Sequence, residues 1–268
     1  AQAQLMWRYG AWHGHRPPAA EPPRNGPITP DKRMHYLLLL LLFISADGYS
    51  ADPLRVAVAA NFRATLQQIT EPFQQRTGYR VVLSSGSTGV LYSQILHGAP
   101  FDIFFAADKA STEKLAAGGI PETLGQPFCY ARGALVLAGG EGGTGQLADP
   151  GLTLAIANPT TAPYGEAALE VLKRPEFAAG RTRKLVRGTN VVQALQFWRS
   201  GGTDLALLPL ALAPDATPVP EAWHQPLDQF AITLSPLESN PALASYLNWI
   251  RSDTVRSLIF DAGYKSCP

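Results

Sequence analysis

From residue 54 onwards, short apolar runs alternate with segments of helical period, and this alternation limits the fold more than any other property of the sequence. Leu54–Ala59, Arg80–Leu83 and Asp102–Ala107 are runs of strand length, and apolar residues from Phe62 to Phe73 recur at the spacing of one helix face. A run as apolar as Asp102–Ala107 is typical of a parallel strand that is buried on both faces. The pattern therefore predicts an α/β fold with mostly parallel sheets.

The alternation continues through a second block that starts near Phe128. Further strands are predicted at Ala134–Ala138, Thr153–Ala157 and Leu205–Leu208, and further helices at Lys109–Ala117, Glu166–Leu172, Val191–Trp198 and Pro241–Tyr264. Ser84–Gly89 is predicted to be a turn that leads into a helix. Pro72 lies inside the first helical segment, where it predicts a kink or a division into two short helices.

Residues 1–51 are predicted to lie outside the fold. Residues 1–33 are rich in Pro, Gly, Arg and Ala, whereas Lys32 and Arg33 precede Met34 and an apolar run, Leu37–Ile44. A basic region, a short apolar region and small residues ending at Ala51 form a secretory signal, which is too short to span a membrane. We interpret residues 34–51 as the signal, and residues 1–33 as either upstream translation or a longer leader.

Composition and cysteine spacing exclude several classes of function. The formal net charge of +1 over 268 residues gives no basic field for nucleic acid. Cys129 and Cys267 match no CxxC spacing for a metal or redox site, so they are either two unrelated small residues or a disulfide formed in an oxidising compartment. No set of four metal ligands is present.

Four predicted junctions between a strand and a helix share one chemical character. Each offers small or polar residues together with backbone N–H groups at a helix start: Ala60-Asn61, Ser87-Thr88, Pro163-Tyr164-Gly165 and Asn190-Val191. The first N–H groups of a helix lack internal acceptors, and the helix dipole is positive there. Several such ends directed at one point would bind an anion without Lys or Arg. Taken singly, each junction also fits ordinary helix capping.

The residues around these junctions resemble those of periplasmic molybdate-binding proteins of ABC transporters. The matching stretches are Val56–Phe62 (VAVAANF), Ser84–Ile95 (SSGSTGVLYSQI), Gly98–Asp108 (GAPFDIFFAAD), and Ala157–Pro159 with Ala162–Gly165 (ANP and APYG). Their joint occurrence in this order is specific, and the resemblance extends from about Leu54 to Tyr264.

The resemblance implies a site, an architecture and a cellular role. The oxyanion would be held by hydrogen bonds from Asn61, Thr88, Tyr164 and Val191, with Ala60 and Ser87 as candidate neighbours. Asn61 and Thr88 would donate through side chain or backbone, and no side chain would bind the metal directly. Some relatives add a tyrosine on a later strand, where this sequence has Pro209.

The implied fold is the two-lobed type II periplasmic binding protein fold, with the ligand in the cleft. Residues 54–128 with 227–268 would form lobe 1, and residues 129–226 would form lobe 2. The implied protein is a periplasmic monomer that needs no cofactor. It would capture molybdate, with tungstate as a second ligand, and would deliver it to the membrane permease.

Two rival functions follow from the same residues. Asp102 and Asp108 could form a catalytic pair of carboxylates, but they lie at opposite ends of one strand, and Asp108 is a natural helix cap. A binding protein for another oxyanion is the closer rival. Phosphate can retain a proton, which favours a carboxylate acceptor that these junctions lack, whereas sulfate differs from molybdate only in size.

Overall fold

The structure, a computed structural model, describes residues 52–118 and 125–268. The predicted signal segment and its cleavage site therefore lie outside the described residues. Two five-stranded sheets form the framework, and each carries helices.

The first sheet has the strand order β2-β1-β3-β10-β4. Its strands are β1 (Leu54–Ala59), β2 (Val81–Gly86), β3 (Ile103–Ala106), β4 (Phe128–Gly133) and β10 (Leu227–Thr233). Strands β1, β2 and β3 are parallel, whereas β10 runs antiparallel to both of its neighbours. The order places β1 and β3, the most apolar strands, in the interior of the sheet.

The second sheet has the order β7-β6-β8-β5-β9. Its strands are β5 (Leu135–Ala138), β6 (Leu154–Ala157), β7 (Leu185–Gly188), β8 (Leu205–Pro209) and β9 (Thr217–Pro218). Strands β6, β7 and β8 are parallel, and β5 is antiparallel to β8 and β9. The predicted α/β class is confirmed, but both sheets are mixed, because each has two parallel and two antiparallel pairings.

In residues 52–118 and 125–268, seven α-helices connect or follow the strands. They are α1 (Arg63–Thr77), α2 (Thr88–Leu96), α3 (Ala110–Ala117), α4 (Pro163–Leu172), α5 (Val191–Arg199), α6 (Pro241–Ile250) and α7 (Asp253–Asp261). Pro72 lies inside α1, which runs as one helix and ends at Gly78 with a φ of 73°. Of the two alternatives for Pro72, the division into two helices is therefore wrong, and the tail predicted to be helical from Pro241 to Tyr264 forms two helices, α6 and α7.

The chain passes between the sheets twice. It leaves the first sheet after Gly133 and returns to it with β10, so β4 pairs within the first sheet although its residues were assigned to lobe 2 from residue 129. Strand β10 was not predicted at all. Ser84–Gly86 form the end of β2 rather than a turn, because they pair with Ala57–Ala59.

A disulfide joins Cys129 in β4 to Cys267 in the C-terminal tail, with the two Cα atoms 6.0 Å apart. Beside it, Arg132 and Lys265 exchange two backbone hydrogen bonds of 2.8 Å. Of the two interpretations of the cysteines in the sequence, two unrelated residues or a disulfide, the disulfide is the one observed. The tail is held on the first sheet immediately after Tyr264, a residue that is buried in the first core.

Two further findings concern the described part of the chain. None of its helices is long and apolar enough to cross a membrane. Within residues 52–118 and 125–268, no three His, Cys, Asp or Glu side chains are grouped so that they could hold a metal ion.

Candidate anion-binding site

The four predicted junctions are helix starts in the structure. Asn61 lies in the turn between β1 and α1, and Ser87 precedes α2. Ala162 precedes α4, in which Tyr164 is the second residue, and Asn190 caps α5, which begins at Val191. All six candidate residues are buried, namely Ala60, Asn61, Ser87, Thr88, Tyr164 and Val191.

Packing brings these junctions together from both sheets. Ala60 and Ala107, which follow strands of the first sheet, belong to the same buried cluster as Ala162, Tyr164 and Val191 beside the second. A backbone hydrogen bond of 2.8 Å runs from Gly89 N in α2 to Thr161 O before α4. A Cβ atom at Gly89 would lie 3.1 Å from Thr161 Cα, so a glycine allows the two helix starts to approach this closely.

The helix starts of α4 and α5 keep free donors. Asn190 Oδ1 accepts hydrogen bonds from the backbone N–H groups of Val192 and Gln193, but not from that of Val191. The N–H groups of Gly165 and Glu166 donate to Ala162 O. The N–H groups of Tyr164 and Val191 therefore have no acceptor among the described residues, and they are available to an anion.

The hydroxyls at the start of α2 are also available. Thr88 Oγ1 accepts a hydrogen bond of 3.0 Å from the N–H of Ala107, which leaves the hydroxyl proton of Thr88 free to donate. Ser87 Oγ is buried and has no hydrogen-bond partner in the described part of the chain. A buried hydroxyl without a partner is costly, and an anion in the cleft would satisfy it.

Asn61 differs from the other candidates because the protein itself uses its amide. Asn61 Nδ2 donates to Gln229 Oε1 at 2.8 Å and to the Tyr264 hydroxyl at 3.3 Å. The Tyr264 hydroxyl in turn donates to Asn61 O at 2.8 Å. Since both protons of Nδ2 are engaged, the donor left for an anion at this position is the backbone N–H of Asn61.

The sequence matches the family model of bacterial extracellular solute-binding proteins over residues 54–265, which is most of the chain. The chain belongs to this family. Members of this family bind solutes for transport and are not enzymes, so this solute-binding protein is not an enzyme.

Two relatives and one solved structure that this solute-binding protein resembles are named for molybdate binding. It is 36% identical to the molybdate-binding protein ModA of Azotobacter vinelandii over 82% of this chain and 92% of the relative. It is 30% identical to ModA of Rhodobacter capsulatus over 80% of this chain and 89% of the relative. The solved structure of the A. vinelandii periplasmic molybdate-binding protein superimposes with a TM-score of 0.72, at 35% identity, over 80% of this chain and all of that one. The two-lobed binding-protein fold is thereby confirmed.

The carboxylates considered for catalysis have structural partners in the solute-binding protein. Asp102 accepts hydrogen bonds from Arg55 N and from the Ser235 hydroxyl, at 2.7 and 2.9 Å. Asp108 accepts from Ser111 N at 2.7 Å, as a helix cap does. Pro209 is the buried last residue of β8, and it supplies neither a hydroxyl nor an N–H.

Charged side chains flank the junctions in two cavities. A cavity of about 540 Å³ is lined by Ala60, Ser85, Asn190 and Arg63, and no carboxylate lines it. A second cavity of about 400 Å³ is lined by Asp108, Lys114 and Glu166 among others. The candidate donors themselves are uncharged, so the arrangement suits an anion that only accepts hydrogen bonds.

Three residues that sequence reasoning missed complete the site. The amide of Gln229, which is fully buried, contacts Asn61 and also the hydroxyls of Tyr130 and Tyr164. Burial raises the pKa of Tyr130, Tyr164 and Tyr264, so these phenols are neutral over the physiological range. The three missed residues are Gln229, Tyr130 and Tyr264. No local pattern identifies them in the sequence, because each is far along the chain from the residues it contacts. Tyr130 lies in β4, Gln229 lies in β10, and Tyr264 lies in the C-terminal tail.

Proposed function

We propose that this solute-binding protein captures molybdate at the meeting point of its four helix starts and delivers it to the permease of an ABC importer. The observation that carries the proposal is the set of buried donors without acceptors, namely the Tyr164 and Val191 N–H groups and the Ser87 and Thr88 hydroxyls, with no charged side chain among them. Molybdate is fully deprotonated at neutral pH, so donors alone satisfy it.

The proposed ligand residues are Asn61, Thr88, Tyr164 and Val191, with Ala60 and Ser87 beside them. The relatives at 36% and 30% identity, both named for molybdate binding, support the choice of ligand. Tungstate has the same shape and charge as molybdate, so we include it as a second ligand.

Calorimetry of residues 52–268 against molybdate, tungstate, sulfate and phosphate tests the proposal. We expect molybdate and tungstate to bind at least about a hundredfold more tightly than sulfate, a difference of about 2.7 kcal/mol. Phosphate should bind weakest because the site offers no acceptor for its proton. Equal or tighter binding of sulfate would assign the protein to the sulfate-binding alternative.

The proposal includes secretion to the periplasm as a monomer. The basic, apolar and small-residue segments up to Ala51 support it, and we expect exported protein to begin at Asp52. Sequencing of the N-terminus of the secreted protein tests the cleavage position, and retention of residues 1–33 on that form would contradict it. Gel filtration with light scattering tests the monomer.

A further inference from the structure

Gln229 is a fully buried glutamine on β10, the strand by which the chain returns to the first sheet. The register of β10 against β4 shifts between Gln229 and Phe230, and a bulge of this kind redirects the side chains next to it. Gln229 Oε1 accepts from Asn61 Nδ2 at 2.8 Å, and Nε2 donates to the Tyr164 hydroxyl at 3.2 Å. One amide thus contacts a candidate residue beside each sheet.

We propose that Gln229 is a positioning residue, which holds Asn61 and the start of α4 in the geometry that binds the anion; this inference rests on the proposed function. Both protons of Asn61 Nδ2 are donated within the protein, one to Gln229 and one to Tyr264. The Asn61 side chain therefore acts as an anchor that orients its own backbone N–H. Gln229 acts on the ligand through Asn61 and does not touch it.

The second contact of Gln229 reaches α4. The Tyr164 hydroxyl lies over Gly133, where a Cβ atom would overlap both that oxygen and the Gln229 amide. Tyr164 offers its backbone N–H to the anion, while its hydroxyl is held by Gln229. Separation of the lobes would exchange this bond for bonds to water, so the bond gives a small net preference to the arrangement in which the two residues meet.

The network also explains how the site stays uncharged. Gln229 Oε1 accepts from Asn61 Nδ2 and lies 2.9 Å from the Tyr130 hydroxyl, which is 3.0 Å from Ala106 O. A carboxylate at position 229 would also accept from Asn61 and Tyr130, but it would place a negative charge next to Asn61 and so close to the bound anion. The amide provides acceptors for Asn61 and Tyr130, and a donor for Tyr164, without that repulsion.

Three variants of the secreted protein test the assignment by molybdate titration and stopped-flow dissociation. We expect Gln229→Leu to weaken binding by about tenfold or more, mainly through faster dissociation. Gln229→Glu should bind more weakly as the pH rises from 6 to 8, whereas the wild-type affinity should be constant over this range. Gln74→Leu is the matched control, because Gln74 Oε1 accepts from Val81 N at 2.6 Å in the same lobe but away from the site.

A mutant cycle separates positioning from general destabilisation. If Gln229 acts through Asn61 and Tyr164, Gln229→Leu should cost less than about threefold in a background of Asn61→Ala with Tyr164→Phe. If both Gln229 variants bind like the wild type and lose only thermal stability, as the Gln74→Leu control does, the residue is structural and the proposal is wrong.

The wild-type titrations keep the two proposals apart. Failure to bind molybdate with retention of another oxyanion rejects the proposed function, and the same variants are then titrated with that oxyanion. Without any ligand, NMR of the Asn61 side-chain amide tests the anchor directly. We expect its protons to be protected from solvent exchange in the wild type and to lose this protection in Gln229→Leu, and unchanged protection would overturn the proposal.

Discussion

In the proposed site, Thr88 illustrates how a single residue can serve the fold and a ligand at once. Its hydroxyl oxygen accepts from the N–H of Ala107, which follows β3, and its proton remains for the anion. Because the oxygen is held from one side, the direction of the proton is restricted before the ligand arrives. Preorganisation of this kind reduces the entropy that binding must overcome.

Thr88→Ala should weaken molybdate binding about ten- to a hundredfold, since hydrogen bonds to charged groups contribute about 1.5–3 kcal/mol. Thr88→Ser keeps the hydroxyl and should stay within about threefold of the wild type. Titration calorimetry of both variants checks this. Equal losses in the two variants would show that the methyl group, and not the hydroxyl, matters.

The buried tyrosines predict how stability depends on pH. Burial raises the pKa of Tyr164 and Tyr264 above that of an exposed tyrosine, which is near 10.0. Because the folded-state pKa exceeds the unfolded one, this contribution to stability is complete below about pH 10 and is lost as the pH rises above it. Melting temperatures between pH 8 and 11 should fall only at the alkaline end, together with the appearance of phenolate absorbance.

How far the sequence predicts the site depends on how far apart the interacting residues are. Ser87 and Thr88 could be predicted because they stand beside their own helix, where the local pattern shows a start. The role of the Asn61 amide could not, because its partners Gln229 and Tyr264 are 168 and 203 residues away in sequence. Contacts of that range leave no periodicity or spacing that a single sequence reveals.

At the scale of elements, the proposed site uses helix starts in place of the charged side chains that bind anions in other sites. Helices α2 and α4 approach closely because Gly89 has no side chain to separate them from Thr161. The strands leading to these helices were predicted well where they are apolar runs. Strand β10 was missed because the Pro-rich connection before it, around residues 214–226, hides where regular structure resumes.

Gly89→Ala should destabilise the close approach of α2 to Thr161, where the added Cβ would meet backbone atoms at 3.1 and 3.2 Å. Overpacking of this kind costs about 1–3 kcal/mol, so affinity should fall about fivefold or more. Gly145→Ala is the control, because nothing lies within 4 Å of a Cβ there. Dissociation rates measure the effect, and equal rates in the two variants would contradict it.

The disulfide ties the tail to β4 without touching the candidate donors. Replacement of Cys129 and Cys267 by Ser opens a loop of 138 residues. It should lower the free energy of unfolding by about 2–5 kcal/mol, since the unfolded chain gains freedom. Molybdate affinity should stay within about threefold. Denaturant titration and calorimetry of the same sample separate the two effects, and a larger loss of affinity would mean that the bond shapes the cleft.

At the scale of the whole molecule, the solute-binding protein combines a low net charge with a proposed site whose donors are all uncharged. Attraction from the protein as a whole is therefore weak, and recognition depends on short-range donors. The two sheets, joined by crossovers after Gly133 and before Leu227, form the lobes that we propose close over the anion.

Arg63→Ala and Lys109→Ala should each change molybdate affinity by less than about threefold, because neither residue is among the buried donors. Lys109 already pairs with Glu113 at 2.8 Å. An increase in salt from about 50 to 500 mM should also have little effect on affinity, since the binding interactions are buried and short in range. Loss of binding in Arg63→Ala, with retention in Thr88→Ala, would replace the helix-start mechanism by a charged side chain.

The order of the strands along the chain determines which sheet can form first during synthesis and export. All five strands of the second sheet lie between Leu135 and Pro218, whereas the first sheet must wait for β10. A chain that emerges from the ribosome or the export channel starting at its N-terminus can complete the second sheet first. At that point the first sheet still lacks β10, the strand between β3 and β4. Cys129 cannot form its disulfide with Cys267 until Cys267 has emerged. Alkylation of free thiols during export would therefore report when the C-terminal tail becomes joined to β4 on each chain.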